Sequence, residues 1–430
     1  MREGVVRERI SRVVATALSL VALSLAQPAQ AETPVPSAAS TCLDCHLGLD
    51  DDRLSPPARA FAEDVHAKRG LTCASCHGGD PTQDDVDLAH DRRKGFRGKP
   101  APAEIPELCG SCHASATFMK RFNSSLRVDQ LSEYRTSTHG KKLATGDVNV
   151  AQCASCHGAH GVLPVSDARS PVSSGRIAQT CNRCHGDATL MARYQLPSDA
   201  YVAYARSVHY EARRKGDLSA PTCNSCHGNH GAAAPEVDSV ANVCGTCHTV
   251  FAETFNAGPH AKAFREAGLP GCVSCHDSHA ILQPSESFLK PGPEYLCGNC
   301  HEDGSAEART GAAILAEIEK LKAEKDAAST ILRRARLAGM EVSQPMFELT
   351  KADEALTKVR TDVHLVSEET VREGAARGIV VAQASRRAGE RAMRERDFRR
   401  KGLLVSLVFI AMMVAGLLLL IRSWGDLAEV

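Results

Sequence analysis

The sequence predicts a mainly α-helical chain with irregular connections and few or no strands, closed by an antiparallel helical hairpin and a single transmembrane helix. Three observations lead there. All 18 cysteines fall in nine copies of C-x-x-C-H, two helical seams follow the last copy, and an uncharged apolar segment lies close to the C-terminus.

At the N-terminus Arg2, Arg7, Arg9 and Arg12 precede an apolar run from Val13 to Ala26 and a small-residue site, Ala29-Gln30-Ala31. This is the pattern of a secretory signal peptide over 1–31, and its apolar run is too short to span a bilayer. The mature chain is then expected to start at Glu32.

The motifs occupy 32–305. Their cysteines are Cys42 and Cys45, Cys73 and Cys76, Cys109 and Cys112, Cys153 and Cys156, Cys181 and Cys184, Cys223 and Cys226, Cys244 and Cys247, Cys272 and Cys275, and Cys297 and Cys300. Each second cysteine is followed at once by a histidine: His46, His77, His113, His157, His185, His227, His248, His276 or His301. That spacing is the attachment signature of c-type haem. Two thiols three residues apart form thioethers to the two vinyl groups, and the adjacent histidine lies under the iron as its proximal ligand. Zinc sites require no fixed adjacent histidine, and disulfide frameworks require no such regularity. Nine covalently attached haems c are therefore expected. Aromatic residues make up only 4% of the chain, so side chains alone would make a thin core, and the motif region is expected to fold around its cofactors.

Within 32–305 the order of histidines and motifs repeats. His139 precedes the motifs at Cys153 and Cys181, His209 those at Cys223 and Cys244, and His260 those at Cys272 and Cys297. A looser copy contains His66, Cys73, His90 and Cys109, which makes four two-haem units after a lone haem at Cys42. Outside the motifs stand His66, His90, His139, His160, His209, His230, His260, His279 and His364, nine histidines for nine haems. The equality predicts a second histidine ligand on every iron, against the alternative that each is an ordinary surface histidine. His160, His230 and His279 each follow a proximal histidine by three residues. On a helical turn the two rings would share a face, so the second ring should serve a neighbouring haem. Histidine on both faces leaves no position for a substrate, and methionine, which would raise the potential, is scarce outside the signal and the membrane segment, so low-potential electron transfer is the expected chemistry.

From Ala306 to Ala338 the residues Ile314, Ile318, Leu321, Ala328, Leu332 and Ala335 recur close to a heptad, and Gly339 ends the run. Ser343, Gln344 and Pro345 then read as a helix start, and Leu349, Ala352, Leu356, Val359, Val363 and Val366 form a second seam. These make the hairpin or stalk of 306–402, with a break expected near Gly374 and Gly378. His364 lies beside the second seam and is expected to serve the haem at Cys42. Residues 403–421 carry no charge and are long enough to cross a bilayer, with Trp424 placed like an interfacial anchor and 422–430 as a short cytoplasmic tail. Arg386, Arg387, Arg391, Arg394, Arg396, Arg399, Arg400 and Lys401 precede the span, on the exported side. They read as a helix face toward lipid headgroups or a partner subunit, or as a solvated stalk. The formal net charge is zero, and nothing points to nucleic acid.

The repeated C-x-x-C-H, with HG-x-HG extensions at His157 to Gly161 and His227 to Gly231, resembles the exported multihaem cytochromes c of bacteria, especially the low-potential bis-histidine class. The likeness covers about Cys42 to His301. The helical arm TKVRTDVHLVSEE around His364 is similar to the helical ends of larger multihaem cytochromes. The resemblance implies a respiratory electron carrier anchored in the cytoplasmic membrane by its C-terminus, with its haem domain in the periplasm. It would exchange electrons with a quinone-linked integral membrane subunit and with periplasmic redox proteins. The alternative is a multihaem reductase of the nitrite or hydroxylamine type, which needs one haem with an open face. Nitrite reductases of that type replace one motif histidine by lysine, whereas all nine motifs here end in histidine.

Overall fold

The computed structural model describes residues 40–236 and 240–428. The signal segment 1–31 and the side chain of Trp424 lie outside the described residues. Two compact units divide the chain, 1–180 and 181–430.

Among the described residues there are helices, turns and loops but no strand. From residue 40 to 305 the helices are short. The longest have nine residues, as in Ile105–His113, Ile177–His185, Thr249–Ala257 and Pro259–Ala267. Few apolar side chains are buried there: Leu143, Val150, Ala178, Met191, Tyr204, Ala220 and Ala261. The other buried apolar residues lie between Ala308 and Ala382. A segment of more than two hundred residues with so little buried side-chain surface cannot offset its ordering entropy by its own apolar contacts.

The C-terminal part of the second unit has a core of its own. Helix α1, Ala306–Leu337, starts at Ser305, whose Oγ accepts from the Ala308 N–H at 3.1 Å. It ends before Gly339 at φ 76, where glycine adopts the left-handed turn at no steric cost. Helix α2, Ser343–Asp362, runs back antiparallel to it, as the Lys325–Asp353 ion pair at 2.9 Å marks. The hairpin is thus formed by the two seams. Helix α3, Glu368–Ala428, then returns and packs along both.

The turn into α3 corrects one expectation. The helix is unbroken through Gly374 and Gly378, and the break lies at Val363–Ser367 instead. There Val363–Leu365 tightens to a 3-10 turn, Val366 takes φ 51, and the Ser367 Oγ caps the new helix by accepting from the Thr370 N–H at 3.2 Å. The two glycines serve packing. A Cβ at Gly374 would lie 2.7 Å from Val359 Cγ1, and one at Gly378 would lie 2.7 Å from Leu321 Cδ1 and 2.8 Å from Ala355 Cβ. Two apolar clusters fill the space between the helices. Ile314, Ile318, Leu321, Leu356, Val359, Val371, Ala375 and Ile379 form the first. Ala328, Leu332, Ala335, Val342, Leu349, Ala352 and Ala382 form the second. Each fully buried leucine, isoleucine or valine contributes about 1.5–3 kcal/mol. Beyond the bundle α3 continues into residues 403–421, which are exposed along their whole length. Its most apolar 18-residue window has a mean hydropathy of 3.0 and no buried residue, which is long and apolar enough to cross a membrane.

Candidate functional site

Three motifs form the same five-residue turn, Cys73–His77, Cys153–His157 and Cys223–His227. In each, the serine between the cysteines accepts from the backbone N–H three residues earlier, at Thr72, Gln152 or Thr222, with distances of 3.0, 3.1 and 3.1 Å. The serine's own N–H donates back to the backbone carbonyl of the same residue, and the two bonds together fix the turn. A glycine with positive φ closes each one: Gly78 (69°), Gly158 (83°) and Gly228 (82°). At Gly78 a Cβ would stand 2.1 Å from the Gly95 carbonyl oxygen. The motif at Cys272 has Asp277 at the equivalent place, with φ 67. The motifs at Cys109 and Cys181 end longer helices instead, Ile105–His113 and Ile177–His185. One helical turn sets both thiols of a motif close together, with the histidine directly after them.

The histidines that precede the motifs share a second device. Asp64, Ser137, Ser207 and Gly258 are the N-caps of the helices Val65–Lys68, Thr138–Ala144, Val208–Arg214 and Pro259–Ala267. The second residue of each helix is therefore His66, His139, His209 or His260. Glycine is required in the last case, because a Cβ at Gly258 would stand 2.2 Å from the His364 carbonyl oxygen.

The fold brings histidines of the two kinds opposite one another. His46 meets His90 with ring centres 6.1 Å apart, His66 meets His113 at 6.0 Å, and His77 meets His160 at 6.0 Å. In the second unit His209 meets His248 at 6.1 Å, His227 meets His279 at 6.1 Å, His260 meets His301 at 6.1 Å, and His276 meets His364 at 6.2 Å. His364 thus faces His276, and the motif at Cys42 has His90 instead, which replaces the expected pairing of His364 with that motif. The reason is the 3-10 turn at Val363–Leu365, which lies against Thr249–Ala257 within the second unit. His139, His157, His185 and His230 are the remaining four of the 18 histidines. His139 sits in the first turn of Thr138–Ala144, while His157 and His185 end the helices of their motifs.

These separations fit a metal ion held between two imidazoles. Bonds of about 2.0 Å on both sides, plus about 1.1 Å from each bonding nitrogen to its ring centre, place the centres about 6.2 Å apart. The other ring nitrogen is held in several cases. His77 Nδ1 is 2.8 Å from the Gly98 carbonyl oxygen, His227 Nδ1 is 3.0 Å from that of Ala233, and His364 Nδ1 is 2.9 Å from that of Thr361. Such bonds fix the tautomer and aim Nε2 at the metal. Burial, and then the facing imidazole, lowers His160, His209, His260, His276 and His279 below the ordinary histidine value. A neutral ring keeps the lone pair a ligand needs.

The thiols of successive motifs are neighbours in each unit. In the cysteine form, burial and then Cys42 push the Cys73 thiol up, and burial followed by Cys109 and Cys112 does the same to Cys76. Cys109 and Cys153 are close neighbours, as are Cys181 and Cys223, and Cys244 and Cys272. Burial, then Cys297 and Cys300, pushes Cys275 up to about 11. The motif sites therefore follow one another in chain order within each unit. Phenylalanines are the residues that sequence reasoning missed. Phe96 lies 4.4 Å from His90, Phe264 lies 5.3 Å from His260, and Phe251 lies between His248 and His364 at 6.0 and 5.6 Å. Their only signal is that a chain poor in aromatics places them close to motifs.

Residues 65–186 match the family model for cytochrome c3, and residues 263–306 match that for the doubled CXXCH motif. No curated protein and no solved structure matches the chain.

Proposed function

Starting from a chain that is a multihaem c-type cytochrome, we propose that it is a membrane-anchored, nine-haem electron-transfer protein of the periplasm. It links a quinone-linked integral membrane subunit to periplasmic redox proteins. Bound haem would supply one-electron exchange, and the chain would supply its binding, orientation and electrostatics. The cysteine pairs hold each macrocycle covalently. The paired histidines would hold an iron between them, leave it no place for a substrate, and set a lower potential than a methionine ligand would. The observation that carries this reading is the set of seven histidine pairs with ring centres 6.0–6.2 Å apart.

The 18-residue window of mean hydropathy 3.0 supports the anchor, and the signal pattern of 1–31 supports export. Purification from membranes in mild detergent tests the whole proposal. The expected result is nine haems per chain by mass and by haem assay, low-spin irons throughout, and reduction by a quinol through a copurifying membrane subunit. A high-spin iron whose signal shifts on adding nitrite, hydroxylamine or cyanide would show an open site and overturn the carrier reading. Failure of any quinol-active subunit to copurify would overturn the quinone link alone.

A further inference from the structure

Among the described residues of the first unit, Asp64 is the one buried carboxylate, at 1% exposure, and it is attached to this array. Its Oδ1 accepts from the His66 backbone N–H at 2.8 Å and lies 2.8 Å from His66 Nδ1. Its Oδ2 accepts from the Val162 backbone N–H at 2.8 Å. Both oxygens are thus fixed, and the carboxylate is aimed at Nδ1 of a ring that lies opposite His113, with centres 6.0 Å apart. Cys76 and His160 of the adjacent centre also lie within its electrostatic reach.

Capping alone does not require this residue. The equivalent Ser137 accepts from the Gly140 N–H at 2.9 Å, and Ser207 from the Tyr210 N–H at 3.1 Å. Gly258 occupies the fourth position with no side chain. The ring partner is also different in kind. His77, His227 and His364 direct Nδ1 to backbone carbonyls, which are neutral. A carboxylate at the same place draws the Nδ1 proton more strongly and raises the basicity of the ligating nitrogen.

We propose that Asp64 is a positioning residue that holds His66 as the Nδ1–H tautomer and gives its imidazole partial anionic character, so that the His66–His113 centre has a lower reduction potential than its neighbours. A stronger donor stabilises the oxidised metal. A full negative charge, buried and held by two backbone N–H groups, does so again through space, and more weakly at the adjacent His77–His160 centre. The first unit thereby contains one centre set apart by a residue of its own chain. The inference rests on histidine ligation at His66 and His113, and is independent of the identity of the redox partners.

The test uses the full-length holoprotein in detergent, titrated electrochemically with visible and EPR detection. The rings of His66 and His113 are 85° from parallel, against 9° for His77 and His160, and this difference separates their low-spin signals. Asp64→Ser, the residue used by two copies of the repeat, is expected to raise the potential of one centre by a roughly tenfold change in its equilibrium constant, ~59 mV for one electron. Asp64→Asn, which keeps the shape and an acceptor but not the charge, should give a smaller rise at the same centre. Unchanged potentials in a fully haem-loaded variant, or an equal shift in every centre, would overturn the proposal. Should Asp64→Ser not fold, Asp64→Asn decides by the same two criteria. Absence of a near-perpendicular bis-histidine signal from the unmodified protein would instead reject ligation at His66.

Discussion

His160 lies opposite His77 with ring centres 6.0 Å apart and planes 9° from parallel, although His160 belongs to the turn that follows the next-but-one motif, at Cys153. The same exchange relates His279 and His227, at 6.1 Å and 14°. A histidine three residues past its own motif thus lies against the motif histidine of another turn, and pairs of this kind tie distant segments together. His160→Ala is expected to leave one iron with an open face. One centre should then become high-spin and bind cyanide, with the other centres unchanged. A spectrum that stays fully low-spin in this variant would show that His160 is no ligand.

The bundle supplies a prediction about packing. Leu321 is fully buried beside Gly378, so Leu321→Ala should cost about 2–5 kcal/mol through lost transfer energy and the cavity left behind. At Gly378 an added methyl meets atoms at 2.7 and 2.8 Å. The overpacking cost of about 1–3 kcal/mol should outweigh the gain of about 1 kcal/mol from replacing glycine in a helix. Gly402, where nothing lies within 4 Å, should gain from the same substitution. Thermal unfolding followed by helical circular dichroism would order the three variants, and a Gly378→Ala protein more stable than the parent would refute the close packing.

Glu286 ties the 3-10 turn Glu286–Leu289 to the bundle. Its hydrogen bond from Arg360, and then the charges of Arg360 and of Lys322 at 3.5 Å, hold its carboxyl below the ordinary value of 4.5. An acid lowered in the folded state is protonated first in the unfolded chain, so its contribution is complete above 4.5 and is lost as pH falls through the folded value. Protection of the amides in 286–300, measured against their intrinsic exchange at each pH, should therefore fall as pH drops below 4.5. In Glu286→Gln the exchange should be faster at neutral pH and lack that step.

Ending the chain after Lys401 removes the apolar segment. The shortened protein should leave washed membranes at high pH without detergent, whereas the full chain should need detergent. Retention of the shortened protein in the membrane fraction would assign anchoring to another surface, and Arg394, Phe398 and Lys401 on one face of α3 would be the first residues to substitute.

Much of this was legible in the residues. The motif spacing is a covalent requirement, and helical periodicity marks α1 and α2, whose seam residues Ile314, Ile318, Leu321, Leu332 and Val359 are at most 1% exposed. Other features depend on contacts between distant segments and leave no local pattern. Gly374 and Gly378 read as breaks because glycine is a poor helix former, yet in α3 they admit Val359 and Leu321. Val366, a β-branched residue with no turn signature, takes the positive φ. The partner of His364 was not legible for the same reason, since it is set by the packing of Val363–Leu365 on Thr249–Ala257.

Helix α3 runs in the same direction as α1, so Gly378 lies at Leu321 and Gly389 at Ile331. Its stretch before Leu403 is about 50 Å long at 1.5 Å per residue. His364 stands at the start of that stretch and the apolar segment at its end. With residues 403–421 set in a bilayer, as proposed, the bundle would be a mast: measured along its axis, the His276–His364 pair would be carried at a height above the bilayer surface far greater than the thickness of a headgroup layer. Whatever meets the protein at that pair would have to rise from the membrane to the same height or arrive through water.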